Sequence, residues 1–215
     1  MILDILGKVP QIHLVSHSRN KGRASALNTG YLSGDSEYVA FLDVDCIPDS
    51  DWLNVFSQNI YNGFDFVAGN LRSSGCGYWA RYLNELYDAK AVDYNNGGND
   101  FTTAFCMFRR DVLDRAGGVS EDYNKYGFED RDLIQRLLNS CRPRVKFVEN
   151  VFAYHTPPSD INNVLKKSYD SGYSSSRLFS ERFPDFYRKT VYWYFDARQQ
   201  HSRIYCFIFL SFFVE

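Results

Sequence analysis

Phe41-Leu42-Asp43-Val44-Asp45-Cys46-Ile47-Pro48-Asp49 closes an apolar run that begins at Tyr38, with two carboxylates one residue apart and then a turn on Pro48, Asp49 and Ser50. Residues i and i+2 of a strand share a face, so Asp43 and Asp45 are expected to look the same way where a strand ends. Open α/β sheets bind ligands outside the carboxyl ends of their strands. Two carboxylates about 6–7 Å apart on one face repel unless water screens them or a cation lies between them. Oxygen donors suit Mg²⁺ or Mn²⁺, hard ions that keep open positions for phosphates. The plainer alternative for a bare Asp-x-Asp is a solvated turn.

Outward from this stretch, the N-terminal side offers Val9-Pro-Gln-Ile-His-Leu-Val-Ser, an expected strand over Val9–Ser16. Next comes Asn20-Lys21-Gly22-Arg23-Ala24-Ser25-Ala26-Leu27-Asn28-Thr29-Gly30, a glycine turn entering a small-residue helix. Lys21 and Arg23 stand at the helix entrance, where backbone N–H groups also favour phosphate oxygens; a basic solvent-facing turn is the alternative. On the C-terminal side, Trp52 to Ile60 has helical apolar spacing, Phe64 to Ala68 reads as a short strand and Tyr78 to Val92 as a helix. Tyr94 to Asp100 is a polar, glycine-bearing loop, the most mobile stretch by composition. Phe101 to Phe108 has the continuous apolar character of a buried strand. Gly117-Gly118 opens an acidic, aromatic loop that runs through Tyr126-Gly127-Phe128 into Glu129-Asp130-Arg131-Asp132. There Leu133, Ile134, Leu137 and Leu138 mark one face of a helix whose first turn is acidic, as the helix dipole favours. Val151 to Tyr154 is a short strand ending at His155, Asn162 to Ser176 a polar helix, and Phe179 to Asp196 an aromatic, irregular stretch.

A chain of 215 residues with 45% hydrophobic content supports one sizeable core. Its net charge of −2, with Lys and Arg scattered, excludes a nucleic-acid footprint. Five cysteines without a Cys-x-x-Cys pair fit a reducing compartment better than a disulfide framework or a zinc site. A cytoplasmic location is expected. Ile204 to Val214 is an uncharged run about half as long as a spanning helix, compatible with a core segment, an interfacial anchor giving peripheral membrane association, or a membrane segment cut short.

Three segments, NKGRASALNTG, YVAFLDVDCIPD and FRRDVLDRAGGVSEDYNKYGFEDRDLIQRLL, with VFAYH after them, resemble the family 2 glycosyltransferases in type and order. The resemblance covers roughly residues 9 to 158. It implies an α/β chain of GT-A type, with a mixed, mostly parallel sheet flanked by helices over residues 1–160. Residues 161–215 would be a helical, aromatic extension packing on that domain or on a membrane surface. It further implies inverting transfer of a sugar from a nucleotide-diphosphate sugar, foremost a UDP-sugar, to a glycan, lipid-linked or protein acceptor. Asp43 and Asp45 match the motif holding a divalent cation, Mg²⁺ or Mn²⁺, and the nucleotide. Asp130 matches the general base, with Glu129 beside it, and His155 matches a position that completes some metal sites. Lys21, Arg23 and Asn28 fall in the segment near the nucleotide.

The family normally opens with a strand, a helix and a second strand that hold the nucleotide base, whereas this sequence starts near the third strand. The expectation is therefore an N-terminally truncated domain with an exposed sheet edge, and a non-catalytic remnant with weak nucleotide or glycan binding is the competing reading. A haloacid dehalogenase type of phosphatase shares a strand-end Asp-x-Asp, but Cys46-Ile47-Pro48 stands where such enzymes want a small Gly-Thr-like pair.

Overall fold

A computed structural model of the chain describes residues 11–158 and 160–196. In chain order they form α1 (Arg23–Leu32), β1 (Tyr38–Leu42), β2 (Cys46–Pro48), α2 (Trp52–Tyr61), β3 (Phe66–Ser73) and α3 (Tyr78–Asn95). There follow β4 (Phe105–Arg109), α4 (Arg110–Arg115), α5 (Glu129–Cys141), β5 (Val145–His155) and α6 (Ile161–Asp170). A π-helical turn, Ser171–Ser175, leads into α7 (Ser176–Arg182), α8 (Pro184–Tyr187) and α9 (Val191–Phe195).

The five strands make one sheet in the order β1-β4-β3-β5-β2. β3 is buried along nearly its whole length, as expected of an apolar strand covered on both faces. It runs on past Gly69, where the sequence suggested an end. A Cβ at Gly69 would lie 2.3 Å from the Phe105 ring, so the glycine marks close packing. At the same point the pairing with β5 shifts register, and β5 runs from Val145 to His155, longer than the short strand expected over Val151–Tyr154. On one face of the sheet, Val39, Phe41, Phe66 and Phe108 pack with Val112, Leu113, Leu133 and Leu137 from α4 and α5. On the other, Val67, Phe105 and Met107 pack with Phe56 and Ile60 of α2.

Only β3 and β5 pair in parallel; β1–β4, β3–β4 and β2–β5 are antiparallel. The expected predominance of parallel pairing is therefore not seen among the described residues. For β4 the reason lies in the 96–104 loop, held at the rim by Asp100 on Arg131 and Thr103 on Arg23. The chain thus enters β4 from the rim and runs against both neighbours. The same anchoring pins the loop that composition had marked as mobile.

Residues 11–16 form no strand, and Ile12, Leu14 and Val15 are exposed. A strand needs a hydrogen-bonded neighbour, and His17 instead ties this segment to α1 through Thr29, 2.8 Å away. β1 accordingly stands at the sheet's edge, with no strand on its outer side among the described residues. The C-terminal stretch that looked irregular folds into α7–α9, around a cluster of Tyr123, Phe128, Phe179 and Tyr187. The Ile204–Val214 run lies outside the described residues.

Candidate active site

β1 stops at Leu42, so Asp43 and Asp45 lie in a turn rather than on one strand face. Asp43 N donates to Ala104 O at 2.9 Å, and Cys46 N closes the turn on Asp43 O at 3.0 Å. Cys46 then pairs with His155, which brings the carboxyl ends of β1, β3 and β5 to one rim. The two carboxylates find different partners there. Asp45 Oδ2 is 3.2 Å from His155 Nε2, while Asp43 Oδ1 accepts from Arg23 Nη2 at 2.8 Å.

Arg23 is the residue that joins the two halves of the rim. Gly22 precedes it at φ 88°, a conformation glycine adopts without strain, and so turns the chain into α1 with Arg23 first. Its guanidinium reaches Asp43 with Nη2 and Nε, Thr103 Oγ1 at 3.0 Å with Nη2, and Glu129 Oε1 at 3.0 Å with Nη1. Glu129 begins α5 directly after Phe128, which holds a left-handed φ of 72°. Glu129 Oε2 is buried with no hydrogen-bond partner among the described residues. Asp130 Oδ1 accepts from Arg131 N at 2.9 Å, and no described donor reaches its other oxygen. Asp43, Glu129, Asp130, Asp45 and His155 thus share one rim, with Arg23 between the first two.

The glycosyl transferase family 2 model matches residues 1–117, and the model for the N-terminal domain of galactosyltransferase matches residues 86–157. The chain belongs to glycosyl transferase family 2. The mannosyltransferase PcManGT from Pyrobaculum calidifontis, solved in complex with GDP-Man and Mn²⁺, superposes with a TM-score of 0.65 at 18% identity. That match covers 86% of this chain and 50% of the mannosyltransferase, so the chain spans about half of its length. A mycobacterial protein matches with a TM-score of 0.49 at 15% identity, over 81% of this chain and 54% of that one. No curated protein sequence is significantly similar. The architecture is that of the GT-A glycosyltransferases, a mixed α/β sheet flanked by helices.

In this member of the family the rim carboxylates set the local electrostatics. Burial, and then the neighbouring Asp130, push the Glu129 carboxyl above its usual range against the pull of Arg23. Burial alone would lower the Arg23 guanidinium, but Asp43, Asp130 and Glu129 together hold it above its usual value. Cys46 is pushed up to about 12 by burial and then by Asp43 and Asp45, so it is an inert thiol and not a nucleophile.

Asp45 and His155 are adjacent at the rim, and the buried His155 Nδ1 makes no hydrogen bond among the described residues. A carboxylate beside an imidazole fits a divalent ion that keeps open positions, though Asp43 is committed to Arg23 and no group of three ligands stands ready among the described residues. Lys21 is exposed in the loop before α1. Asn28 lies farther along α1 and spends its amide on Val119 N, Val119 O and Glu121, bracing the Gly117-Gly118 turn. Residues the sequence reading passed over are Thr103, the Asp100–Arg131 pair and Tyr126. For Thr103, the polar Thr102-Thr103 pair at the entrance of a buried strand was the available signal.

Proposed function

We propose that this chain carries the transfer chemistry of an inverting, metal-dependent glycosyltransferase acting on a nucleotide-diphosphate sugar. The observation that carries the reading is the Arg23 bridge, because it sets the donor-side Asp43 beside the acceptor-side Glu129 and Asp130. In this mechanism the unpartnered oxygen of Asp130 accepts the proton of an acceptor hydroxyl. The acceptor oxygen bonds to the anomeric carbon from the face opposite the leaving group. The bond from that carbon to the diphosphate oxygen breaks, and the electron pair leaves with the nucleoside diphosphate. One base suffices, and no covalent enzyme intermediate forms. Glu129, raised by burial yet held on Arg23, stays beside it and orients the acceptor. Asp45 and His155, joined by Asp43 when Arg23 turns to the donor phosphates, would hold Mg²⁺ or Mn²⁺, which when bound neutralises charge developing on the diphosphate. The bound GDP-Man and Mn²⁺ of the similar mannosyltransferase support a nucleotide-sugar donor and a divalent cation, and make GDP-sugars rivals to the UDP-sugars.

The second reading, a non-catalytic nucleotide- or glycan-binding remnant, is favoured by the same Arg23, which occupies the Asp43 oxygen a cation would use. A transfer and donor-hydrolysis assay with UDP- and GDP-sugars in Mn²⁺ separates the two. Asp130→Asn is expected to lower turnover by about 10²-fold or more with donor affinity unchanged. Turnover equal to wild type in Asp130→Asn would remove Asp130 as the base; donor binding without turnover in wild type would leave the remnant.

A further inference from the structure

α3 lies along the rim and turns one row of side chains toward it. Ala80, Asn84, Tyr87 and Tyr94 follow one another at helical spacing and so share a face of the helix. Asn84 Oδ1 accepts from Ser73 N at 2.7 Å, at the carboxyl end of β3. The Tyr94 hydroxyl donates to Asp100 O at 2.7 Å, in the loop that carries Thr103. Lys90, at the edge of the same face, reaches both the backbone carbonyl and the carboxylate of Asp100. The polar groups on this side of α3 are thus spent on the protein, with one exception. The Tyr87 hydroxyl makes no hydrogen bond among the described residues.

Its surroundings put that hydroxyl beside the candidate cation position. The Tyr87 ring is half-buried and packs against the cluster that contains Cys46. It meets the His155 ring nearly at right angles, with centres 6.5 Å apart, and His155 is the partner of Asp45. Burial, and then Cys46, Tyr126, Asp45 and Asp43, raise the phenol above its ordinary pKa, so both rim aspartates are within electrostatic reach of its oxygen. A phenol so raised keeps its proton at neutral pH and can donate it. A partly buried donor without a partner is costly unless water or a ligand takes the bond. The ligand group that fits is an anionic oxygen, brought to this place by the cation that Asp45 and His155 would hold. A diphosphate supplies one.

We propose that Tyr87 is a donor-binding residue, its hydroxyl donating to a diphosphate oxygen of the nucleotide-sugar from the α3 side of the rim. The assignment rests on the glycosyl-transfer reading of the site.

The test is calorimetric binding of UDP, GDP, UDP-glucose and GDP-mannose to the full chain in Mn²⁺, with Mn²⁺ alone titrated separately. Loss of one hydrogen bond to a charged group weakens binding about tenfold or more. Tyr87→Phe keeps the ring on His155, so the urea midpoint and the affinity for Mn²⁺ alone should not change. The nucleoside diphosphate that wild type binds, and its nucleotide-sugar, should both weaken by about that factor. Tyr94→Phe removes a hydroxyl from the same face, but one already spent on Asp100, and should leave diphosphate affinity as in wild type. Equal diphosphate binding by wild type and Tyr87→Phe would overturn the assignment. A loss confined to the nucleotide-sugars would move the contact to the sugar and overturn it as well. Weaker binding of Mn²⁺ alone would mean that Tyr87 acts through Asp45 and His155, and an equal loss in Tyr94→Phe would trace the effect to the placement of α3; either result defeats the contact. Wild type that binds none of the four nucleotides defeats the glycosyl-transfer reading together with the assignment, whereas the other adverse outcomes leave that reading standing.

Discussion

Replacing Arg23 by alanine tests the whole arrangement of the rim. Arg23 forms the bridge between Asp43, whose side chain is 29% exposed, and Glu129, 10% exposed. Removing one partner of a fully buried pair costs about 3–5 kcal/mol, because a charge is left uncompensated. Arg23 itself is 32% exposed, so solvent screens part of the interaction and about 2–3 kcal/mol is expected at pH 7. The cost is capped because Glu129 can take up a proton. Its folded-state pKa already lies above the 4.5 of the free side chain, and loss of Arg23 removes the influence that lowers it. A carboxyl raised in the folded state stabilises most below its unfolded pKa, and that contribution is lost as pH rises through the folded value. The Arg23→Ala deficit should therefore be small near pH 4 and grow toward pH 8, as read from urea unfolding at several pH values. Adding Glu129→Gln should recover about 1–2 kcal/mol at pH 7, the signature of coupled neighbours. A pH-independent deficit below about 0.5 kcal/mol with no coupling would refute the bridge.

Three other outcomes are expected. Gly69→Ala places a Cβ 2.3 Å from Phe105 and 2.9 Å from Phe56, and should lower stability by about 1–3 kcal/mol; an unchanged urea midpoint would contradict the packing of β3 on β4 and α2. Burial would raise Asp100, but its bonds to Arg131 hold it below the usual 3.8, so its contribution is present above that value and lost as pH falls through the lowered one. Asp100→Asn should thus cost about 2–4 kcal/mol at pH 7 and progressively less as pH falls below 3.8, by thermal unfolding over that range. Mn²⁺ titration in the presence of a nucleoside diphosphate should be weakened strongly by Asp45→Ala and less by His155→Ala, whereas equal, weak binding by all three proteins would leave Asp45 as a solvated turn residue.

What could be read in advance follows from how locally each feature is encoded. β4 is a continuous apolar run with bulky aromatics, and α5 carries its apolar face in one unbroken period, so both were legible. So was the common rim, because strand ends bearing Asp43 and His155 point one way in this architecture. Asp43 and Asp45 were misplaced on a strand face because the apolar run gives no sign that pairing ends at Leu42. The expected strand over Val9–Ser16 has the right composition, but a strand is a property of a pair, and residues 11–16 pair with no described strand. The Arg23 fork could not be seen: its partners Asp43, Thr103 and Glu129 lie 20, 80 and 106 residues away. Only the folded rim brings these charges together. The 179–196 stretch hid its helices because aromatic residues recur on every side, which removes the periodic contrast on which helix reading depends.

That aromatic stretch bears directly on the candidate base. Phe128 adopts a left-handed conformation costing a non-glycine residue about 1–2 kcal/mol, and it is held there by its surroundings. Its ring is buried against Phe179 and Tyr192, with centres 5.1 and 4.8 Å away, and Arg131 stacks over it at 4.9 Å. Residues from α7 and α9 therefore fix the backbone turn from which α5 departs. The acidic first turn of α5 is then neutralised unevenly. Glu129 is taken by Arg23 from α1. Asp132, fully buried, is taken by Arg136, by Arg182 from α7 and by the Tyr123 hydroxyl. Asp130 has only a backbone N–H on one oxygen. Two of three neighbouring carboxylates are thus spent on arginines, Glu129 on Arg23 and Asp132 on Arg136 and Arg182. The third is left facing the rim with an oxygen free, the one carboxylate of the three that can accept a proton without first breaking an ion pair.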